Sequence, residues 1–227
     1  MAVPLMLIGQ DVLRGQVRVD LMPIYGGFVE DEYPLGIDSA YRRALEEAAM
    51  FISAQIYGWS FYYDIGERAR GIDEVFELSS LGDITWGDPG LHVTNAHFQN
   101  QTHQITSHLM AETLSMWVDY RPTQAQHRRL QMWRMGNIRT AQAIGYGPYA
   151  FPGDDNDWMS IRRAALEDSA RAAVRAMLQG SERNRPKEAR GYISLETFPA
   201  YHMSSGRWAV QARFRVNITE VVPFAAH

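Results

Sequence analysis

An internal repeat constrains the possible folds of this chain more than any other feature of its sequence. Three stretches return 121 positions later: residues 15–19 return as 136–140, residues 25–26 as 146–147, and residues 39–49 as 160–170. The offset stays constant through stretches that are typical of a strand, a loop and a helix. A constant offset over such different segments indicates the tandem duplication of one folding unit.

The length of the chain suits two such units. A chain of 227 residues provides enough sequence for two small domains, each with a hydrophobic core of its own. We predict a first repeat at residues 12–122 and a second at residues 133–222, joined by a short helix near residues 124–132. The hydrophobic content of 46% and the net charge of −4 are typical of a globular protein and not of a disordered one.

Both copies predict a helix with a stripe of small and apolar residues at spacings of three and four. The stripe consists of Ala40, Ala44, Leu45, Ala48, Ala49, Ile52 and Ile56 in the first copy, and of Ile161, Ala165, Leu166, Ser169, Ala170, Ala173 and Met177 in the second. Gly58 and Gly180 stand where a glycine would end each helix. Because these side chains are small, we expect each helix to lie close to a sheet.

The segments that flank each helix predict strands. In the second copy a strand over residues 133–146 precedes the helix, and a hairpin over residues 192–222 follows it. In the first copy we pair an outgoing strand at residues 75–78 with a return strand at residues 114–120. Each unit is therefore predicted as β-α-β-β, an α+β fold in which one helix packs on a face of an antiparallel sheet.

The first copy carries an insertion, about residues 79–110, that the second copy lacks. Its many polar residues predict an arm that contacts a neighbouring subunit. The insertion also holds four histidines, which are His92, His97, His103 and His108. Clustered histidines can bind zinc, copper or nickel, but spacings of five and six residues do not prearrange a pair on a strand or helix. A metal- or small-ligand-binding protein is therefore the alternative interpretation.

The second copy resembles a known domain family. A strand ends in Ala-Ile-Gly-Tyr-Gly-Pro at residues 143–148, an alanine- and arginine-rich helix follows, and Ala-Arg-Gly-Tyr-Ile at residues 189–193 leads into a hairpin that closes with Gly-Arg-Trp-Ala-Val at residues 206–210. This order resembles the small bacterial envelope domain shared by certain outer-membrane lipoproteins and by accessory ring and disc proteins of the flagellar motor. The resemblance implies a non-enzymatic protein that oligomerises into envelope rings.

Carboxylates cluster in two settings. Residues 30–32 and 154–157 precede the helices, where acids cap a helix and complement its dipole. The second cluster lacks the glycine and distal glutamate of a calcium-binding EF-hand loop. On the helices, two carboxylate doublets lie near arginines one turn earlier and predict surface ion pairs. These residues are Glu46 and Glu47 near Arg42, and Glu167 and Asp168 near Arg163.

The composition excludes several classes of site and leaves the compartment open. With no cysteine, the chain has no disulfide, no cysteine-bound zinc, no thiol catalysis and no cysteine for a lipid anchor. No stretch predicts a membrane-spanning helix or an export signal. We expect a periplasmic or extracellular bacterial protein if an export signal has been removed, and a cytoplasmic adaptor protein otherwise.

We predict a non-enzymatic protein without cofactor or metal, which self-associates into a ring, disc or filament of a bacterial envelope or a flagellum-associated appendage. We also expect interactions with other envelope proteins. We do not expect binding to nucleic acid, because the chain has a net negative charge and its one basic-aromatic cluster, near residues 127–134, is small. The candidate interface residues are aromatic residues after the first helix and polar residues of the insertion. They are Trp59, Phe61, Tyr62, Tyr63, His97, Gln99, Gln101 and His103.

Overall fold

A computed structural model describes residues 12–21, 35–67, 71–102, 110–135, 138–149, 158–181 and 186–223. The elements of this part of the chain are, in order, β1 (Leu13–Asp20), α1 (Ile37–Ile56), β2 (Trp59–Asp64), β3 (Val75–Ser80), β4 (Leu91–Thr102), β5 (Met110–Tyr120), α2 (Gln124–Met132), β6 (Arg139–Tyr149), α3 (Trp158–Ser181), β7 (Pro186–Leu195), β8 (Ala200–Ser204) and β9 (Arg207–Pro223).

The strands form two antiparallel sheets. A three-stranded sheet has the order β1-β5-β4, and a six-stranded sheet has the order β3-β2-β7-β9-β6, with β8 also paired to β9. Every pairing is antiparallel. The mixture of helices with antiparallel sheets confirms the predicted α+β class.

The pairing of the strands does not follow the boundary between the two predicted copies. Strand β2, which belongs to the first copy, pairs with β7 of the second, so that Trp59 lies opposite Ile193. The hairpin predicted between residues 75–78 and 114–120 is wrong, because β3 pairs with β2 while β5 pairs with β1 and β4. Alternating polarity predicts a strand but does not identify its neighbour. Two tandem units with separate sheets are thus not confirmed.

The helices agree closely with the repeat. Helix α1 begins at Ile37 and α3 begins at Trp158, which are equivalent positions in the two copies. The short linking helix is confirmed as α2, and its start has a capping box. There the side chain of Thr123 accepts a hydrogen bond from Gln126 N, and the side chain of Gln126 accepts one from Thr123 N.

Helix α1 lies at the centre of the molecule, between the two sheets. It packs on β1 and β5 of the three-stranded sheet and on β7 of the six-stranded sheet. Side chains from both predicted copies form one continuous apolar core, to which β5 contributes Met116, α1 Phe51, α3 Leu166 and β9 Phe214. The two predicted copies therefore share one core.

Small residues bring strands and helices into close contact, as the alanine stripes predict. A side chain at Gly145 of β6 would overlap the backbone of α3 at Ser169. The hydroxyl of Ser169 in turn donates a hydrogen bond of 3.0 Å to the carbonyl oxygen of Ala143. In the other sheet, Gly15 of β1 leaves room for the ring of Phe198, which comes from the second copy. Both contacts depend on the absence of a Cβ atom.

Candidate assembly surface

Strand β4 is an edge of the three-stranded sheet. It has 12 residues and pairs along its length with β5, while no strand in the described part of the chain pairs with its outer side. The pairing shifts register between Val93 and Asn95, which marks a β-bulge. Beyond the bulge, residues 95–102 pair continuously with residues 117–110. These eight residues form the regular section of the edge, which we call the β4 edge.

The β4 edge lacks the residues that usually protect an open strand. Natural sheets protect their edges with charged side chains, proline or short strands. Strand β4, whose sequence is LHVTNAHFQNQT, contains no acid, lysine, arginine or proline. The other terminal strands of the two sheets differ: β1 carries Arg14, Arg18 and Asp20, β3 carries Glu77, and β6 carries Arg139 and Pro148. In the described part of the chain β8 also pairs with β9 alone and lacks charge, but it has just five residues, so β4 is the least protected of the five.

Apolar side chains are partly exposed beside this edge. Phe98 of β4 is 37% exposed and packs against Tyr41 of α1, with 6.4 Å between the ring centroids. On β5, Trp117 is 38% exposed and lies opposite Asn95 on the outer face of the sheet. The apolar surface therefore lies on both faces of the sheet near β4.

Polar side chains fill the rest of the outer face. His92 lies opposite Asp119 and His97 opposite Ser115, so the bulge leaves both histidines on this face. The amide nitrogen of Gln99 lies 2.8 Å from His97 Nε2 and donates a hydrogen bond to it. At the β1 side, Arg14 binds both carboxylate oxygens of Asp119, at 2.7 and 2.8 Å. That hydrogen bonding lowers the pKa of Asp119.

The arrangement of Ser115 and His97 does not form a catalytic pair. A serine nucleophile needs a base within hydrogen-bonding distance of its hydroxyl. Ser115 is fully buried, and its Oγ has no hydrogen-bond partner. His97 is instead engaged by Gln99. This face therefore offers hydrogen-bonding and apolar contacts, and not an activated nucleophile.

The four histidines of the insertion are only partly described. His92 and His97 lie five residues apart on one strand, whereas His103 and His108 lie outside the described residues. Within the described residues no group of three or more histidine and carboxylate side chains is arranged to hold a metal ion. The side chain of Gln101 also falls outside the described part, and its interface role stays a prediction.

Two residues of the aromatic run after α1, Phe61 and Tyr63, are not exposed contact residues, and this correction follows from the position of β2. The interface roles of Trp59 and Tyr62, which are half-buried, stay predictions. Because β2 lies between β3 and β7, one of its faces is turned to the core, where Phe61 and Tyr63 are buried. On the opposite face, the guanidinium of Arg190 lies 5.3 Å from the centre of the Tyr62 ring. Trp59 is half-buried and packs against the core. The sequence could not reveal that β2 gains a neighbour from the second copy.

The predicted arm at residues 79–110 is also part of the folded structure. It contains β4, and its first section contributes Ile84 to a second apolar cluster with Ile52 and Tyr120. The backbone N–H of Ile84 donates a hydrogen bond of 2.8 Å to Ser53 Oγ on α1. The interpretation of the insertion as an arm outside the fold is therefore wrong, although its strand remains a candidate contact.

The carboxylate doublets have different environments. Glu46 forms the predicted surface pair with Arg42, at 2.9 Å. Glu47 does not, because it is buried and pairs with Arg162 of α3 at 2.6 Å. Asp168 pairs with Arg171 instead of Arg163. The acidic clusters at residues 30–32 and 154–157 lie outside the described residues.

The basic-aromatic cluster at residues 127–134 serves packing in this fold. Trp133 donates a hydrogen bond of 3.1 Å from its ring nitrogen to the carbonyl oxygen of Ile56. The guanidinium of Arg129 lies 5.4 Å from the centre of the Tyr57 ring. These contacts attach α2 to the end of α1.

In the described part of the chain, no helix is both long enough and apolar enough to cross a membrane.

Comparisons with known proteins identify a family without indicating a function. A model of a family of uncharacterised proteins matches residues 9–224. An uncharacterised protein of Treponema pallidum (strain Nichols) is 22% identical over 182 residues, which cover 80% of this chain and 69% of that protein. No solved structure matches the chain. The resemblance to envelope and flagellar domains therefore stays a prediction.

Proposed function

The chain belongs to this family of uncharacterised proteins, and we propose that its role is non-enzymatic: copies of the protein associate with one another along the β4 edge. Residues 95–102 of one copy add to an edge strand of the next. Main-chain hydrogen bonds across the junction provide affinity, and the neighbouring side chains provide specificity.

The observation that carries the proposal is the unprotected state of β4. An edge strand presents unpaired N–H and C=O groups, which favour pairing with another chain. Strand β4 is twice as long as the usual five to six residues, since it has 12. It offers this template without any formal charge in its sequence. Selection against unwanted association would be expected to place a charge or a proline here.

The side chains beside the edge support the same contact. Adding a strand next to β4 would cover Phe98 on the inner face, where it is 37% exposed. It would also approach Trp117, which lies one strand away on the outer face. Aromatic side chains with both apolar and polar surroundings are enriched in protein interfaces. His97 and Gln99 supply hydrogen-bonding groups at the rim.

A second surface supports head-to-tail association, although it is not an open edge, because α3 already binds two backbone groups of β6: Tyr146 N donates to Asp168, and Ala143 O accepts from Ser169. Strand β6 ends the six-stranded sheet, and three of its side chains are well exposed: Ile144, Tyr146 and Tyr149. Contact of the β4 edge of one copy with these side chains of the next joins two different surfaces. Such a heterologous contact closes into a ring or continues as a filament, depending on the rotation between neighbours. A symmetric β4–β4 contact would stop at a dimer.

The setting that we propose is a bacterial envelope or a surface appendage, with flagellar association as the first possibility to test. Support for this setting comes from the resemblance of residues 133–222 to envelope and flagellar ring domains. Fractionation of the native bacterium, with an antibody against the protein, would distinguish an envelope from a cytoplasmic location.

Light scattering coupled to size-exclusion chromatography tests the proposed association. We expect the mass of the purified protein to rise with concentration from the low micromolar range upward, beyond the mass of a dimer if the contact is head-to-tail. A mass that stays at one chain over all concentrations, salt conditions and pH values would refute the proposal. A mass that reaches two chains and rises no further would indicate symmetric β4–β4 pairing instead.

A further inference from the structure

A groove of about 560 Å³ lies between α1, α3 and the loop that follows β3. Its apolar lining includes Met50 of α1, Met159 and Leu166 of α3, and Ile84 of the loop. This volume lies within the range of about 300–1,000 Å³ that is usual for small-molecule sites. No described side chain of the β4 edge lines the groove.

The charged residues of the groove are mostly acidic. Glu46 on α1 and Glu167 on α3 occupy equivalent positions of the two copies and line the same groove. Asp83 adds a third carboxylate, and among the described residues Arg163 is the one basic residue of the lining. Arg42 also binds Glu46 at the rim, so three carboxylates face two guanidiniums and the site keeps a net charge of −1; a cleft of net negative charge attracts cations.

Burial affects one of these carboxylates directly. The pKa of Glu167 is raised by burial, and the nearby charge of Arg163 opposes that rise. An additional positive charge beside this partly buried carboxylate would stabilise its ionised form. A cationic ligand beside Glu167 would supply that charge.

Two tryptophans add a further preference for cations. Trp59 and Trp86 both line the groove. The guanidinium of Arg42 already lies 5.7 Å from the centre of the Trp86 ring, and its Nε donates to Glu46. The face of an indole ring attracts cations, most strongly where they are desolvated. Arg42 thus shows that a cation at this rim can contact the carboxylate of Glu46 and the indole ring of Trp86 together.

We propose that this groove binds a linear aliphatic polyamine. The methylene segments of such a molecule would contact the apolar lining, and its ammonium groups would lie at Glu167 and Asp83. At Glu46 an ammonium group would share the carboxylate with Arg42. Several separated positive charges on a flexible apolar chain match several carboxylates distributed around an apolar floor. The volume favours a small molecule over a folded protein partner. Neither this site nor the assembly contact requires the other.

Calorimetric titration with spermidine at low ionic strength tests the site. We expect saturable binding of one molecule per chain, with a change in tryptophan fluorescence, and no binding of a linear diol of similar length. Glu167→Gln should weaken spermidine binding by about tenfold or more, as expected for the loss of a partly desolvated charge contact. Glu46→Gln, on the opposite wall, should weaken it as well.

Glu220→Gln is the matched control, because Glu220 is an exposed carboxylate on β9 outside the groove lining. It should leave spermidine affinity unchanged. Circular dichroism will identify a variant that does not fold, and Glu46→Gln then serves in place of Glu167→Gln. The proposal is overturned if spermidine does not bind, or if the groove variants and Glu220→Gln have the same affinity as the original chain.

Discussion

Glu47 of α1 and Arg162 of α3 form an ion pair of 2.6 Å in the interior, where their side chains are 1% and 4% exposed. The guanidinium of Arg162 also lies between aromatic rings, at 4.3 Å from the centre of Trp158, 4.2 Å from Trp208 and 4.7 Å from Tyr201. The hydroxyl of Tyr201 donates a hydrogen bond of 2.8 Å to the backbone oxygen of Arg162. This pair joins the helices of the two predicted copies.

Removing one partner of this pair should strongly destabilise the fold. Glu47→Ala leaves the Arg162 charge buried without its carboxylate, which typically costs about 3–5 kcal/mol. Urea unfolding followed by circular dichroism measures this loss. Glu46→Ala is the adjacent control: Glu46 forms an exposed pair with Arg42, and such pairs contribute about 0–1 kcal/mol.

The double variant Glu47→Leu with Arg162→Met should recover much of the stability lost by either single change. Apolar residues of similar volume often replace a buried ion pair at little cost, since no charge then remains without a partner. Equal losses in the single and double variants would show that packing of Arg162 between the rings matters more than its charge.

A lysine in the β4 edge should prevent self-association without unfolding the protein. Gln99→Lys places a charge on an exposed residue of β4, where two pairing strands would have to bury or juxtapose it. Thr219→Lys makes the same change on β9, an interior strand of the other sheet, at an exposed residue beyond the section that pairs with β6. Light scattering should report one chain for the first variant and unchanged association for the second. Association that persists in Gln99→Lys would place the contact elsewhere.

The ion pair between Glu74 and Arg175 should contribute to acid sensitivity. Burial raises the pKa of Glu74, but hydrogen bonds with Arg175 and Tyr63 outweigh it, and the pKa lies below its ordinary value. The folded state thus binds this proton less tightly than the unfolded state, where the pKa is about 4.3. The stabilisation is present above that pKa and is lost as the pH falls through the folded-state value.

Urea unfolding at several pH values between neutral and strongly acidic conditions checks this prediction. Glu74→Gln should be less stable than the original chain at neutral pH, and the difference should shrink as the pH falls. The pH dependence expected from Glu47 has the opposite sign. Burial raises the pKa of Glu47 in the folded state, so its contribution to the stability of the fold decreases as the pH rises. A stability difference for Glu74→Gln that is independent of pH would contradict the assignment.

Gly145→Ala should destabilise the contact between β6 and α3. The added Cβ would overlap the backbone at Ser169 and Ala165, which cannot move as a side-chain end can. Overpacking of this kind typically costs about 1–3 kcal/mol. Gly87→Ala is the control, since a Cβ at that position has nothing within 4 Å. Thermal unfolding should separate the two variants clearly.

The sequence predicted local structure well and long-range pairing poorly. Both long helices, the linking helix and the close approach of alanine-rich helices to strands follow from the periodicity of the sequence, which acts within a few residues. The neighbour of β2 does not follow from such signals. Its alternating residues pack equally well beside a strand of either copy, and the choice depends on how the two sheets enclose α1.

The candidate sites were predicted only in part, for a related reason. Glu46 and Glu47 are adjacent in sequence and have the same chemistry, but they lie about 100° apart around the helix. One side of α1 meets solvent and the other meets α3, so that Glu47 is paired with a residue 115 positions away. The groove could not be predicted from the sequence either, because its walls come from residues of both predicted copies that are far apart along the chain. The absence of charge in β4, by contrast, can be recognised from the sequence itself.

The pairing of β2 with β7 has an evolutionary consequence. When each half of a repeated sequence forms its own sheet, the two halves can be separated, because each retains a complete sheet. Here Phe61 of the first half is matched to Gly191 of the second, where a Cβ would meet the ring of Phe61 and the backbone of Asn217. Substitutions in either half of the chain therefore act on contacts with the other half, and cutting the chain in two would leave β2 and β7 each without its neighbour.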